Sequence, residues 1–229
     1  MNNIIISQMF LCKKYWLSIM AAVVLPIVFF VFLFSTVGVY EEPKEMFALY
    51  GTIAMIIVLL IVSYRIIFDY IQRIQMYEIM AGKKPHQIIL GRMLVFLPIT
   101  LMFLVILTPF YLIWLPGKEQ MLFLFGVICI RMTLVTIFLS PLLKEVTFMV
   151  LFSSFISMGA YQYYGTPEAF SRSVFSWMGF SQCKLLCGEI TDAFMIKVIC
   201  SGVIVCVICY IIGYITLKKK FNLEPHQMI

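Results

Sequence analysis

The sequence predicts an all-α integral membrane protein that crosses the bilayer with six helices. Three observations predict it. Of 229 residues, 63% are hydrophobic and 12% charged; six apolar windows each have the length of a span; and aromatic and basic residues gather at the edges of those windows. A soluble domain runs about 45–50% apolar and about 25% charged. A chain of 229 residues encloses too little interior to hide the excess, which therefore faces lipid. The net charge of +6 does not point to nucleic acid, because the basic residues are spread among short connections instead of gathered on one face.

A spanning helix needs about 20 predominantly apolar residues. The six windows are residues 15–39, 46–64, 93–115, 121–139, 146–164 and 194–217, forming a single transmembrane domain over residues 1–229. Tyr15, Trp16, Tyr40, Tyr64, Tyr111, Trp114, Tyr161 and Tyr214 mark their boundaries, as an interfacial belt requires. The first window exceeds the about 7–15 residues of a signal-peptide apolar region, so it is expected to remain as an anchor. Ahead of it, residues 4–12 end in Lys13-Lys14 and read either as a helix lying on the inner surface or as the frayed start of the first span.

Orientation follows from the basic residues of the connections. With the N-terminus inside, Lys13, Lys14, Arg65, Arg73, Lys83, Lys84, Arg92, Lys144, Lys218, Lys219 and Lys220 are cytoplasmic, while Lys44, Lys118, Arg172, Lys184 and Lys197 lie outside, eleven against five. Both termini are expected on the cytoplasmic side of the cell membrane. Leu115-Pro116-Gly117-Lys118 is turn chemistry between the third and fourth spans, and Ser140-Pro141 closes the fourth. Cys129, Cys200, Cys206 and Cys209 fall inside apolar runs and act as small hydrophobes. Cys183 and Cys187 lie outside those runs and read as a pair of surface thiols, with a disulfide or a metal site as the alternatives.

Two segments stand apart from the spans. In residues 65–92, Ile67, Ile71, Ile74 and Ala81 fall on one side of a helix and Asp69, Gln72, Arg73 and Gln75 on another, with Asp69 and Arg73 spaced as an ion pair. The second span is thus predicted to continue beyond the lipid. Gly82 followed by Lys83-Lys84-Pro85 is a helix stop and restart. The resulting elbow either rests on lipid headgroups or docks on a partner.

The run Tyr77-Glu78-Ile79-Met80-Ala81-Gly82, the short basic turn after it, and Ile88-Ile89-Leu90-Gly91-Arg92-Met93-Leu94 resemble the elbow of the ABC-2 type permeases, the membrane subunits of ATP-binding-cassette exporters. The layout is similar too: an N-terminal interfacial helix, six spans, both ends inside, and a longer outer segment before the last span. The resemblance implies that Tyr77, Glu78, Ile79, Met80, Ala81, Gly82, Gly91 and Arg92 couple the chain to an ABC ATPase subunit. It implies a second permease copy or a related chain to complete the pathway, and ATP bound by the partner instead of by this chain.

The second segment is the outer stretch, residues 161–194. Thr166-Pro167-Glu168 is a helix start and Gly179 a stop, with Phe170, Val174 and Trp177 as an apolar stripe; Ser181 and Gly188 bound a second short helix. These helices are expected to dip into the outer leaflet or cover a cavity mouth, or to form an interfacial loop. In the resembled family this position holds short re-entrant helices.

The chain has no GxxxxGK[ST] loop, no HExxH, no Cys and His cluster with zinc spacing and no GxSxG elbow. Glu41-Glu42 lacks the downstream Arg and the nearby His that a membrane protease of the paired-glutamate type needs. No cofactor and no catalytic residue are therefore expected. The expected function is the permease subunit of an exporter; a substrate-binding membrane module of an importer is the alternative, and an intramembrane enzyme a third. Arg131 is the one charge well inside a window, and none of the six windows contains an acid. An Arg near the bilayer centre is unfavourable by about 2.5–3.5 kcal/mol on insertion scales, so Arg131 is expected to face protein, a helix interface or a wet pathway.

Overall fold

The structure is a computed structural model that describes residues 16–37, 43–71, 78, 80–115, 117–141, 181–186 and 190–223. Among them all regular structure is helical: α1 (Trp16–Val37), α2 (Pro43–Ile71), α3 (Pro85–Trp114), α4 (Glu119–Leu139), the short α5 (Ser181–Leu185) and α6 (Asp192–Leu223). The fifth window, residues 4–12, the helix expected from residue 166 and the spacing of Asp69 with Arg73 lie outside the described residues or side chains.

Among the described residues three helices are long and apolar enough to cross a membrane: Pro85–Ile113, Glu119–Leu139 and Asp192–Lys219. Shorter apolar stretches, Val23–Phe32 and Phe47–Val62, belong to α1 and α2. The chain is thus an all-α protein with membrane-crossing helices among the described residues. Three helix ends run well past their windows, and α2 does so to Ile71, beyond the lipid as the sequence predicts. α3 begins at Pro85, ahead of residue 93, because Ile88 and Ile89 are already buried in the bundle and Pro suits a first helical turn. α6 runs on to Leu223, since Lys side chains suit a helix C-terminus.

Local chemistry sets the helix ends. The backbone N–H of Lys84 donates to Gln87 Oε1 at 2.9 Å, one half of a capping box at the start of α3. Gly117 takes φ 76° in the turn to α4, where the Tyr111 hydroxyl donates to the Lys118 carbonyl. Thr191 caps α6 by accepting the Phe194 N–H on its hydroxyl oxygen at 3.3 Å, and Asp192 follows in the first turn, where a negative charge meets the helix dipole favourably.

α4 is the central element, packed by α2, α3, α5 and α6, and 56% of its apolar window is buried against 28% in each of the other two spans. α3 runs antiparallel to it, paired by Arg92 with Ser140 at one end and by Thr100 with Thr133 midway. α6 runs parallel to it, because Arg131 meets Ser201 and Phe138 meets Tyr210. Phe47 knits the opposite end together, packing edge-on against Phe30, Tyr111 and Phe125 with centroids 5.7, 4.5 and 5.2 Å away. The outer faces of α1, α3 and α6 expose Leu25, Val105, Ile113, Val203 and Ile204, the surface expected of helices solvated by lipid.

Candidate functional site

Arg131 lies twelve residues into α4, about 18 Å from its start at about 1.5 Å per residue. It is 4% exposed and faces protein, not lipid. Its Nη1 donates to Gln182 Oε1 at 2.8 Å and to Ser201 Oγ at 3.3 Å. Gln182 Nε2 donates to the same Ser201 oxygen at 3.3 Å, and the Ser201 hydroxyl gives its proton to the Val198 carbonyl at 3.1 Å. Both Nη1 protons are used in these bonds, and Ser201 donates once and accepts twice. Three side chains from α4, α5 and α6 thus close a triangle.

The surroundings make room for that triangle and dry it. Gln182 and Ser201 are buried. Gly202 lies against the stem of Arg131, whose Cδ sits 3.3 Å from where a Cβ on Gly202 would stand; a larger residue there would press on the side chain. Cys129, Cys183 and Cys206 lie within electrostatic range of the guanidinium. On the α3 side, the Thr100 and Thr133 hydroxyls bond at 2.8 Å, and Thr133 and Thr136 also bond carbonyls one turn back on α4. The polar groups of the α4 core are therefore partnered, as burial in hydrocarbon demands.

Cys183 corrects the sequence reading of a surface thiol: it is 1% exposed. The reason is the depth of α5, whose Gln182, Cys183, Leu185 and Leu186 are buried against α2 and α4. In α6 and α4, Cys129 and Cys209 are buried as the apolar runs predict, while Cys200 is exposed. Cys187 lies outside the described residues.

The elbow is a second polar assembly, at the end of the bundle shared by the start of α3 and the end of α4. Gly82 has φ 75°, and the Lys83 N–H donates to the Glu78 carbonyl at 3.1 Å. That bond spans five residues and ends in a left-handed glycine, the geometry of a Schellman stop. A hydrophobic contact usually joins the two residues at these positions; here Lys83 Nζ and Glu78 Oε1 form an ion pair at 3.0 Å. Met80, Ala81 and Gly82 are exposed, and a Cβ on Gly82 would meet nothing within 4 Å.

Of the expected coupling residues, Glu78, Met80, Ala81 and Gly82 come together in this turn, and Tyr77 and Ile79 lie outside the described residues. Gly91 and Arg92 stand apart from it. Gly91 is buried, and Arg92 donates to Ser140 Oγ, whose own proton goes to the Ile137 carbonyl at 2.7 Å. The cation thus sits on the C-terminal end of α4, where the helix dipole favours it, and joins α3 to α4. Sequence reasoning missed Gln182 and Ser201, and took Ser140 only as the close of the fourth span. The signal for Ser201 was present, since Ser201-Gly202 is a small polar step in an otherwise apolar run, matching the small residues that let polar side chains enter helix interfaces.

Comparison with protein-family models, with curated proteins and with solved structures gives no match to this chain.

Proposed function

We propose that this chain is the permease subunit of an ATP-binding-cassette exporter. In this reading it spans the cell membrane six times with both termini cytoplasmic, pairs with a second copy or a related chain, and is driven by a separate ATPase seated on residues 78–82. The observation that carries the proposal is the turn itself. Beyond a long α2, an ion-paired stop exposes Met80 to 68% and leaves open space over a left-handed glycine, so a partner backbone can approach closely. The restart at Pro85 then carries any push on the turn into α3, and Arg92 passes it to α4 through Ser140. ATP-driven closure of paired ATPases would act on the spans by this route.

The reading is tested by purifying the tagged chain with its ATPase. Glu78→Lys and Gly82→Leu are expected to reach the membrane at wild-type levels, lose the bound ATPase and lose ATP-dependent transport; two variants that transport normally would remove the turn from coupling. Topology is tested separately with an impermeant thiol reagent on intact cells, which is expected to label a single cysteine at position 191 and not one at position 83. The reverse pattern rejects the orientation.

One observation favours a second reading, a substrate-binding membrane module of an importer. Such a module needs convergent polar groups in its outer half, and Arg131, Gln182 and Ser201 converge. A small ligand held by the purified chain without any ATPase, and released by Arg131→Leu, would select it.

A further inference from the structure

We propose that Arg131, Gln182 and Ser201 form a releasable latch that holds α5 inside the bundle as a plug on the outer side of α4 and α6. The proposal rests on the transport reading for the purpose of the latch, but its test reads the position of α5 directly. α5 has five residues, too few to be stable as a helix on its own. Its place therefore depends on what it touches. Leu185 and Leu186 are buried and give an apolar seat. Gln182 on α5 meets the cation, accepting from Arg131 and donating to Ser201.

The depth gives the latch its meaning. Arg131 is about 18 Å from the start of α4, and Ser201, nine residues into α6, is about 13 Å from its start, at about 1.5 Å per residue. The hydrocarbon core is about 30 Å thick. Gln182 therefore reaches to around its middle, between two helices that run parallel toward the Gly82 end. A shift of α4 against α6 separates Arg131 from Ser201 and breaks the triangle. A neutral amide acceptor suits release, since a carboxylate at the same place would bind the guanidinium far more strongly. Gln182 is thus a positioning residue whose neutrality sets how readily α5 leaves.

Cys183 is the built-in reporter, buried next to Gln182 on α5. A membrane-permeant maleimide is applied to the full chain in membranes, and the rate of modification of each cysteine is read by peptide mass spectrometry. Cys129 and Cys209, buried on the long helices, serve as controls for general loosening. Gln182→Leu and Ser201→Ala are expected to speed modification of Cys183 roughly tenfold, the population change that follows from losing a hydrogen bond to a charged group, with Cys129 and Cys209 unchanged. Gln182→Glu is expected to slow it below wild type. Acceleration in Gln182→Leu and Ser201→Ala with Cys129 and Cys209 unchanged separates a latch from general damage to packing; the carboxylate of Gln182→Glu also lowers the thiolate fraction of the adjacent Cys183. Faster modification in Gln182→Glu as well, or an unchanged rate in Gln182→Leu, overturns the latch. Loss of the ATPase from the purified chain with these rates intact would overturn the exporter reading and leave the latch standing.

Discussion

The arginine triangle and the Gly82 turn are both closed polar networks, but they are assembled by opposite means. Gln182 and Ser201 lie 51 and 70 residues from Arg131 in the chain, and the triangle is buried where each polar group needs a partner. Glu78 and Lys83 are five residues apart, and their side chains remain 16% and 20% exposed. A local contact closes a short loop at small entropic cost and depends little on the rest of the fold. A long-range contact exists only when three helices are docked. The triangle should therefore respond to anything that disturbs α4 against α6, and the turn should respond to almost nothing outside itself.

The largest expected effect tests that dependence at a distance. An added Cβ at Gly213 would collide with the Phe138 carbonyl, and backbone cannot rotate away as a side chain can. Gly213→Val is expected to force α6 off α4 and to destabilise the protein by about 3 kcal/mol, the upper range for overpacking. In detergent this appears as a lower midpoint of thermal aggregation, with modification of Cys183 accelerated in the same variant. A wild-type midpoint would mean that the seam between α4 and α6 yields without strain and that the triangle is less dependent on it than the close approach implies.

The same contrast explains what could be read from the sequence. The turn was legible residue by residue, because a left-handed Gly, a Pro at the first helical position and a pair of lysines act locally. The burial of Arg131 was legible from cost alone, since a central charge cannot face lipid. Its partners were not. Gln182 sits in a segment whose composition suits an interfacial loop as well as a buried helix, and nothing in residues 181–186 states which neighbours they meet. Likewise the contact of Arg92 with Ser140 at the end of α4 requires the α3 and α4 register to be known.

Second in size is removal of the cation itself. Arg131→Leu leaves Gln182 and Ser201 able to bond each other, and the two lost bonds from Nη1 contribute about 1–3 kcal/mol. Insertion is expected to be normal while transport or dimer stability changes at matched membrane levels. Arg131→Lys is expected to be only partly functional, because a point charge on a flexible stem lacks the planar fork that reaches two acceptors. Wild-type transport and dimer fraction in the Leu variant would confine the triangle to a role that neither property senses.

Third is Gly82→Ala. With open space around the position, the whole effect comes from forcing an L-residue to φ near +75°, about 1 kcal/mol. Thermal stability of the bundle is expected to move little, and modification of Cys183 not at all. A change in Cys183 as large as that in Gln182→Leu would show that the turn and the triangle are mechanically one unit, which would erase the distinction drawn between them.

The smallest expected effect is on the ion pair of Glu78 with Lys83. Partly exposed pairs contribute about 0–1 kcal/mol and are screened by salt, and the Lys83 N–H bond to the Glu78 carbonyl survives any side-chain change. Glu78→Gln is therefore expected to change stability by at most about 1 kcal/mol, read as a small shift of the thermal midpoint. The charge reversal Glu78→Lys places two cations side by side, and the double variant Glu78→Lys with Lys83→Glu restores the pair in the opposite sense. Stability alone is expected to recover in the double variant. ATPase binding is expected to stay lost if the partner reads a carboxylate at position 78, and to recover if it reads only the shape that the pair maintains. Measured with the purified ATPase at low and high salt, the double variant thus separates a recognition charge from a structural clamp, two roles that the local geometry alone makes compatible.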